Sequence, residues 1–476
     1  MANRKLIKTM GIICLGIWMT AFAYAQTDSS SYVKPYQKKA LDIYRTAVSF
    51  RTAKGQAQTP ALAKYLAKEF LNGGFKEEDI HLLSFDEMSE PTNALVIRYR
   101  GNGASGKKPI LLVAHMDVVD AHREDWDRDP FTLVEEDGYF FGRGTLDDKS
   151  GIATLTAAFL RLKSDGFVPN RDLIIAFTAD EETGSSTTQS LMDEYRQLTD
   201  AEFALNADAG GGDLDENGSA TAYNLQCAEK TYCTFELTAI NPGGHSSYPR
   251  SDNAIYELAA ALGRLNAFRF PVRSNDITRA YFASKAKVTQ GEVGEAMAHL
   301  SEDPDDEWAA NILWTQPGEV GITRTTCVAT MLKAGHAENA LPQSATATVN
   351  CRIFPGVTVE EVHQTLKQVV ADENLEIKVL DDPETSPASS LREDVINAVT
   401  KAVHARYPDI PILTYMSPFA TDGNVIRRAG IPTYGVSGIF IKSSDVFAHG
   451  LDERVPVASF FDALEYLHIL LTELTD

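Results

Sequence analysis

The stretch Thr178-Ala179-Asp180-Glu181-Glu182-Thr183-Gly184 sets two adjacent carboxylates just after Leu173-Ile174-Ile175-Ala176-Phe177, an apolar run that reads as a buried strand. Consecutive side chains near a strand end point in different directions. One carboxylate can then bind a metal while its neighbour faces a water on that metal, the division of labour that metal-assisted hydrolysis needs. In chain order the groups that keep the pair company are His115, Asp117, Asp147, Asp208 and His449. Two imidazoles and three carboxylates are what two zinc ions need if one carboxylate bridges them. Asp117 lies two positions beyond His115, on the same side of an extended chain, and can accept the imidazole N–H to fix its tautomer. Taken singly, each group has a plainer reading. The glutamate pair suits a solvated acidic turn, Asp147-Asp148 a helix N-cap, Asp208 a turn before three glycines, and His449 a surface loop.

Strands must bring these residues together. Pro109 to Ala114 is a near-continuous apolar run that ends at His115, and Phe203-Ala204-Leu205 leads through Asn206-Ala207 to Asp208. Between them, Ile152, Leu155, Phe159 and Leu162 form a helical stripe after Asp147-Asp148. Alternating strand and helix signals predict an α/β fold: a mainly parallel sheet with helices on both faces. In such a sheet the strand C-termini share one edge, where ligands bind. From about Leu225 the pattern changes to β-α-β-β-α-β, the ferredoxin-like arrangement. Residues 225–382 are therefore predicted to be an inserted α+β domain, containing an irregular acidic stretch through Asp303 to Glu307. It divides a catalytic domain into 26–224 and 383–476.

At 476 residues and 44% hydrophobic content the chain suits two globular domains. A net charge of -22 argues against nucleic acid and anionic membrane surfaces as partners. Arg4, Lys5 and Lys8 precede an apolar stretch from Met10 to Phe22, and Ala23-Tyr24-Ala25 offers small residues to a signal peptidase. Residues 1–25 thus read as a cleaved signal peptide. The protein is then exported, periplasmic or secreted, with no stable membrane anchor after cleavage. Cys227, Cys233, Cys327 and Cys351 remain, and an oxidising compartment permits disulfides. Cys327 with Cys351 is the favoured bridge because their segments read as antiparallel neighbours; buried thiols are the alternative.

The strings AHMD, GRGTLDDKSG, TADEETG, NPGGHSSYP, ENALP, NCRIFPG and AHGLDE resemble the two-zinc exopeptidases and amidohydrolases, the family of aminoacylase, carboxypeptidase G, succinyl-diaminopimelate desuccinylase and carnosinase. His115 to Phe131 and Phe140 to Gly151 look most like its carboxypeptidase S and N-acyl-amino-acid hydrolase branch. The resemblance implies that His115 and Asp208 hold one zinc, Glu182 and His449 the other, and that Asp147 bridges them. It implies that Asp117 orients His115 and that Glu181 is the general base. The inserted domain would be a lid and a homodimer contact. In it His245 would polarise the scissile carbonyl, Arg352 would bind a substrate carboxylate, and Asn339 would be a nearby polar contact.

The implied activity is hydrolysis of an amide or peptide bond beside a free carboxylate, in dipeptides, C-terminal residues or N-acyl amino acids. Three alternatives stand beside it. A single-domain two-zinc aminopeptidase has a similar ligand order, but the long stretch between Asp208 and His449 leaves room for a lid. An amidohydrolase of non-peptide amides is the second. A catalytically dead binding protein is the third, although no ligand and no base is missing.

Overall fold

In a computed structural model, residues 34–476 are described, apart from 87, 89, 381 and 382. The signal-peptide reading of residues 1–25 lies outside them. Among the described residues no helix is long and apolar enough to cross a membrane.

The apolar runs become the strands Ile110–His115 and Leu173–Thr178, buried at every position. They lie side by side and parallel, with Phe203–Asn206 parallel on the other flank of Ile110–His115 and Thr433–Gly435 parallel beyond it. Strands in mixed parallel and antiparallel pairing extend this centre on both sides into a ten-stranded sheet. Alternation along each strand sends side chains to two cores. Leu112, Ala114, Ile175 and Phe177 pack with Tyr44, Phe159 and Leu467 from the helices Pro35–Ser49, Lys149–Ser164 and Val457–Thr475. Leu111, Val113, Ile174 and Ala176 pack with Leu191, Met192, Val425 and Ile426 on the opposite face. This is the expected two-faced α/β layer, and it fixes where the strand ends must lie.

The second sheet is antiparallel, in the order Thr326–Ala334, Ser344–Ile353, Thr231–Ile240, Leu375–Val379. The helices Ala254–Ala267 and Val359–Val370 cover one face. Its strand order and helix placement are those of the ferredoxin-like arrangement. Two details differ from the sequence-based expectation. The strand Ala220–Glu229 runs past Leu225 within the large sheet, and the small sheet begins only at Thr231. Residues 276–323, left without helices in the sequence-based reading, form four helices whose Ile277, Phe282, Met297, Leu300 and Leu313 join the core of the large sheet. The acidic stretch is the turn between two of them, and Asp306 caps the next helix by accepting the Ala309 N–H at 2.9 Å. Short apolar stripes broken by acidic turns hide helices of this length from a periodicity reading. Cys327 and Cys351 face each other across neighbouring strands and form a disulfide. Cys227 is buried in the large sheet.

Candidate active site and metal centre

Strand register decides which groups meet. His115 pairs with Thr178, and Val113 pairs with Asn206. The three parallel strands therefore deliver His115, Glu181 and Asp208 to one edge. After Leu173–Thr178 the chain makes a single tight turn, Glu181–Thr183. Asp117 holds this turn: its two carboxylate oxygens accept the backbone N–H groups of Glu181 at 3.2 Å and Glu182 at 3.0 Å. That commitment modifies the expected role of Asp117. The nearest partner of His115 Nδ1 is the Asp117 main-chain carbonyl at 3.0 Å, with the carboxylate farther away at 3.5 Å.

Asp147 and Asp148 divide their tasks. Asp148 caps the helix Lys149–Ser164, accepting the Gly151 N–H at 3.1 Å. Asp147 turns into the site, with one oxygen 2.7 Å from His115 Nε2 and the other 3.1 Å from His449 Nε2. Glu182 Oε1 is 2.9 Å from His449 Nε2, and Asp208 Oδ1 is 3.5 Å from His115 Nε2. Two donor sets result, one of His115, Asp147 and Asp208, the other of Glu182, Asp147 and His449. Ligand atoms of His115, Asp147 and Glu182 lie within 4.8 Å of one another, as do those of His115, Asp148 and Asp208. In the latter group the Asp148 carboxylate is partly engaged by its helix. Imidazole nitrogens and carboxylate oxygens at this density fit a pair of divalent cations, and the donor set suits zinc.

The electrostatics agree with that fit. Burial pushes Asp208 up to about 7, with the charge of Asp147 adding to the shift. Burial also raises Glu181 well above the usual carboxylate range, aided by Asp208, Asp422 and Asp147 and opposed by His115. Hydrogen bonds to Asp147 and Glu182 raise His449 to about 10. Burial disfavours a charged His115, but Asp208, Asp117 and Asp147 together outweigh it and raise its pKa. Burial works against Asp147 as well, yet the two imidazoles hold it well below its ordinary value. Protons here do the neutralising that cations can do instead.

The site opens into a cavity of ≈ 520 Å³, lined by Asp147, Glu181, Glu182, Asp208 and His449 together with apolar groups such as Phe419, Ile439 and Val446. Among the described residues nothing forms a hydrogen bond or ion pair with the Glu181 carboxylate. His245, Asn339 and Arg352 do not line this cavity. His245 and Asn339 are brought together on a two-stranded ladder of the small domain, where Ser246 N–H donates to the Asn339 carbonyl at 3.0 Å. Arg352 lies on the strand Ser344–Ile353, its guanidinium 4.6 Å above the Tyr232 ring.

Sequence reasoning missed three supporting groups. Asp422 is buried and accepts the hydroxyls of Thr178 at 2.5 Å and Thr188 at 2.6 Å. It follows the strand Ile412–Ser417, which runs against the central parallel strands, so the strand-end rule gave no signal for it. Arg143 and Glu453 form a buried ion pair at 2.7 Å, and both sit inside strings already singled out.

Residues 111–473 match the model of peptidase family M20/M25/M40. The chain belongs to this family. Among its curated relatives is the Xenopus tropicalis N-fatty-acyl-amino acid synthase/hydrolase PM20D1, 31% identical over 358 residues, covering 73% of this chain and 69% of the relative. Aminoacylase-1 of Sus scrofa is 26% identical over 373 residues, covering 77% and 79%. A metallo-carboxypeptidase of the M20 family from Sulfolobus solfataricus shares the fold, with a TM-score of 0.69 at 18% identity, covering 92% of this chain and 99% of that one. This M20/M25/M40 member is a hydrolytic metalloenzyme, related to peptidases and amidohydrolases.

Proposed function

We propose that the enzyme hydrolyses the amide bond of N-acyl amino acids or small peptides that carry a free carboxylate beside the scissile bond. The observation that carries this reading is the pairing of an unengaged Glu181 carboxylate with a bridging Asp147 in one cavity. A pair of divalent cations held by His115, Asp147, Glu182, Asp208 and His449, with zinc the metal we propose, supplies carbonyl polarisation and a more acidic water when bound. Glu181 takes the proton of the attacking water and returns it to the leaving nitrogen. Burial raises its pKa, which strengthens it as an acceptor of the water's proton.

His245 accepts the Ser247 N–H on Nδ1 at 3.1 Å, which leaves the proton of the neutral ring on Nε2. It can then donate to the developing oxyanion. The Arg352 guanidinium is in no ion pair with a described residue and offers a planar fork to a substrate carboxylate. Asn339 is a further polar contact. Because these three residues stand outside the cavity lining, the reading requires the small antiparallel sheet and its two covering helices to close on bound substrate. Contact between two copies through that domain belongs to the same proposal, as does export after removal of residues 1–25.

The apolar groups Phe419, Ile439, Ile441 and Val446 suit an acyl chain. The names of the PM20D1 and aminoacylase relatives point the same way. Asp213 favours a second reading. Among the described residues it is the one carboxylate lining the cavity besides those of the centre, it is in no ion pair with a described residue, and it suits the ammonium of a dipeptide. A hydrolysis screen of N-acyl amino acids against dipeptides, with and without chelator, tests both. Chelator-sensitive turnover of N-acyl amino acids is expected. Turnover that ignores chelator, or that acts on neither class, rejects the proposal.

A further inference from the structure

Two loops outside the sheet carry Asp147 and His449, so strand register alone does not set their separation. A buried pair joins the loops. Glu453 is fully buried, and its carboxylate receives four donors. One oxygen accepts the backbone N–H groups of Leu146 at 2.8 Å and Asp147 at 3.0 Å. The other accepts the Gly144 N–H at 3.0 Å and Arg143 Nη1 at 2.7 Å. The second terminal nitrogen of Arg143 reaches the other loop, donating to the carbonyls of His449 and Gly450 at 3.1 Å each. A chain of direct bonds thus runs from the backbone of Asp147 through Glu453 and Arg143 to the backbone of His449.

An independent feature lies at the far end of that chain. His449 has φ 63°, in the left-handed region that side chains other than glycine seldom occupy. A residue kept there needs its surroundings to hold it. The two carbonyls that Arg143 grips are those of this residue and the next. Apolar residues of equal volume could fill the space, and a buried ion pair is not by itself a source of stability. Apolar residues could not orient three backbone N–H groups and two carbonyls.

We propose that Arg143 and Glu453 are positioning residues that fix Asp147 relative to His449 and so set the affinity of one cation, the one between Asp147, Glu182 and His449. The inference rests on the reading of the centre as a two-cation site. The other set, His115, Asp147 and Asp208, draws two of its ligands from the strand edge and depends less on the pair.

Metal-stripped full-length protein titrated with zinc alone tests this, with stoichiometry and affinities read by competition against a chromophoric chelator. Wild type is expected to take two zinc ions. Glu453→Gln and Arg143→Lys are each expected to keep one site unchanged and weaken the other about 10–100-fold, the range seen when groups that orient metal ligands are altered. Circular dichroism melts of the metal-free proteins report whether each variant folds, and Arg143→Lys decides if Glu453→Gln does not. Two zinc ions bound by folded variants at wild-type affinity overturn the inference. So does equal weakening of both sites, or loss of the fold in both variants. Fewer than two zinc ions on wild type overturns the two-cation reading itself, and the inference with it.

Discussion

Asp147 stands between His115 and His449, one carboxylate oxygen 2.7 Å from the first imidazole and the other 3.1 Å from the second. A carboxylate so placed belongs to both donor sets. Asp147→Asn is therefore expected to lower zinc uptake at both sites, whereas Asp208→Asn should lower it at one. Elemental analysis of the purified variants checks the difference.

Glu181 and Glu182 are neighbours in the chain with different surroundings. Glu182 touches His449, and the Glu181 carboxylate faces the cavity with no hydrogen bond or ion pair to a described residue. Glu181→Gln should retain two zinc ions and lose about 10²–10⁴-fold in kcat. Glu182→Gln should lose metal. Equal metal content and equal turnover in both variants would contradict the roles given to them.

Zinc affinity should rise with pH. His449, raised to about 10, is protonated at neutral pH in the metal-free site, and Asp208, raised to about 7, is protonated below that. A cation must displace both protons. Binding should strengthen from pH 6 to 8 and release protons. Calorimetry in buffers of different ionisation heat measures the release, and a binding heat that is the same in every buffer would count against the mechanism.

Arg352 lies over Tyr232, in no ion pair with a described residue. If it reads the substrate carboxylate, Arg352→Met should raise KM about 10–100-fold, the worth of a hydrogen-bonded charged contact. An N-acyl amino acid amide, lacking the carboxylate, should be a poor substrate for wild type and should be little affected by the substitution. Steady-state kinetics on the acid and the amide separate the two cases.

Behind the site Arg427 and Glu229 form a buried ion pair at 2.6 Å, and Glu229 also accepts the Thr421 backbone N–H at 2.9 Å. Removing one member leaves the other charged and buried. Glu229→Ala should cost about 3–5 kcal/mol, read as a lower denaturation midpoint at unchanged slope.

Much of the catalytic layer was legible because its determinants are local. Leu173 to Phe177 and Pro109 to Ala114 are apolar without interruption, which marks strands covered on both faces. The residues directly after them had to emerge at one edge. The glutamate pair, His115 and Asp208 could be placed from that rule alone. The helices of residues 276–323 were not legible, since short stripes broken by acidic turns resemble loop until a core is present to pack them.

What the sequence alone determined was the order of ligands along the chain and the strands that carry most of them. Only the tertiary structure decided which atoms touch. It gave the Asp117 carboxylate to the backbone of the glutamate turn, separated Asp148 as a helix cap from Asp147 as the bridge, and joined Arg143 to Glu453 across the chain. The reason is physical. A strand's register follows from hydrophobic alternation, which is written locally. Which of several nearby donors a carboxylate accepts depends on distances of a few tenths of an ångström between segments far apart in sequence, and these exist only once the loops are packed.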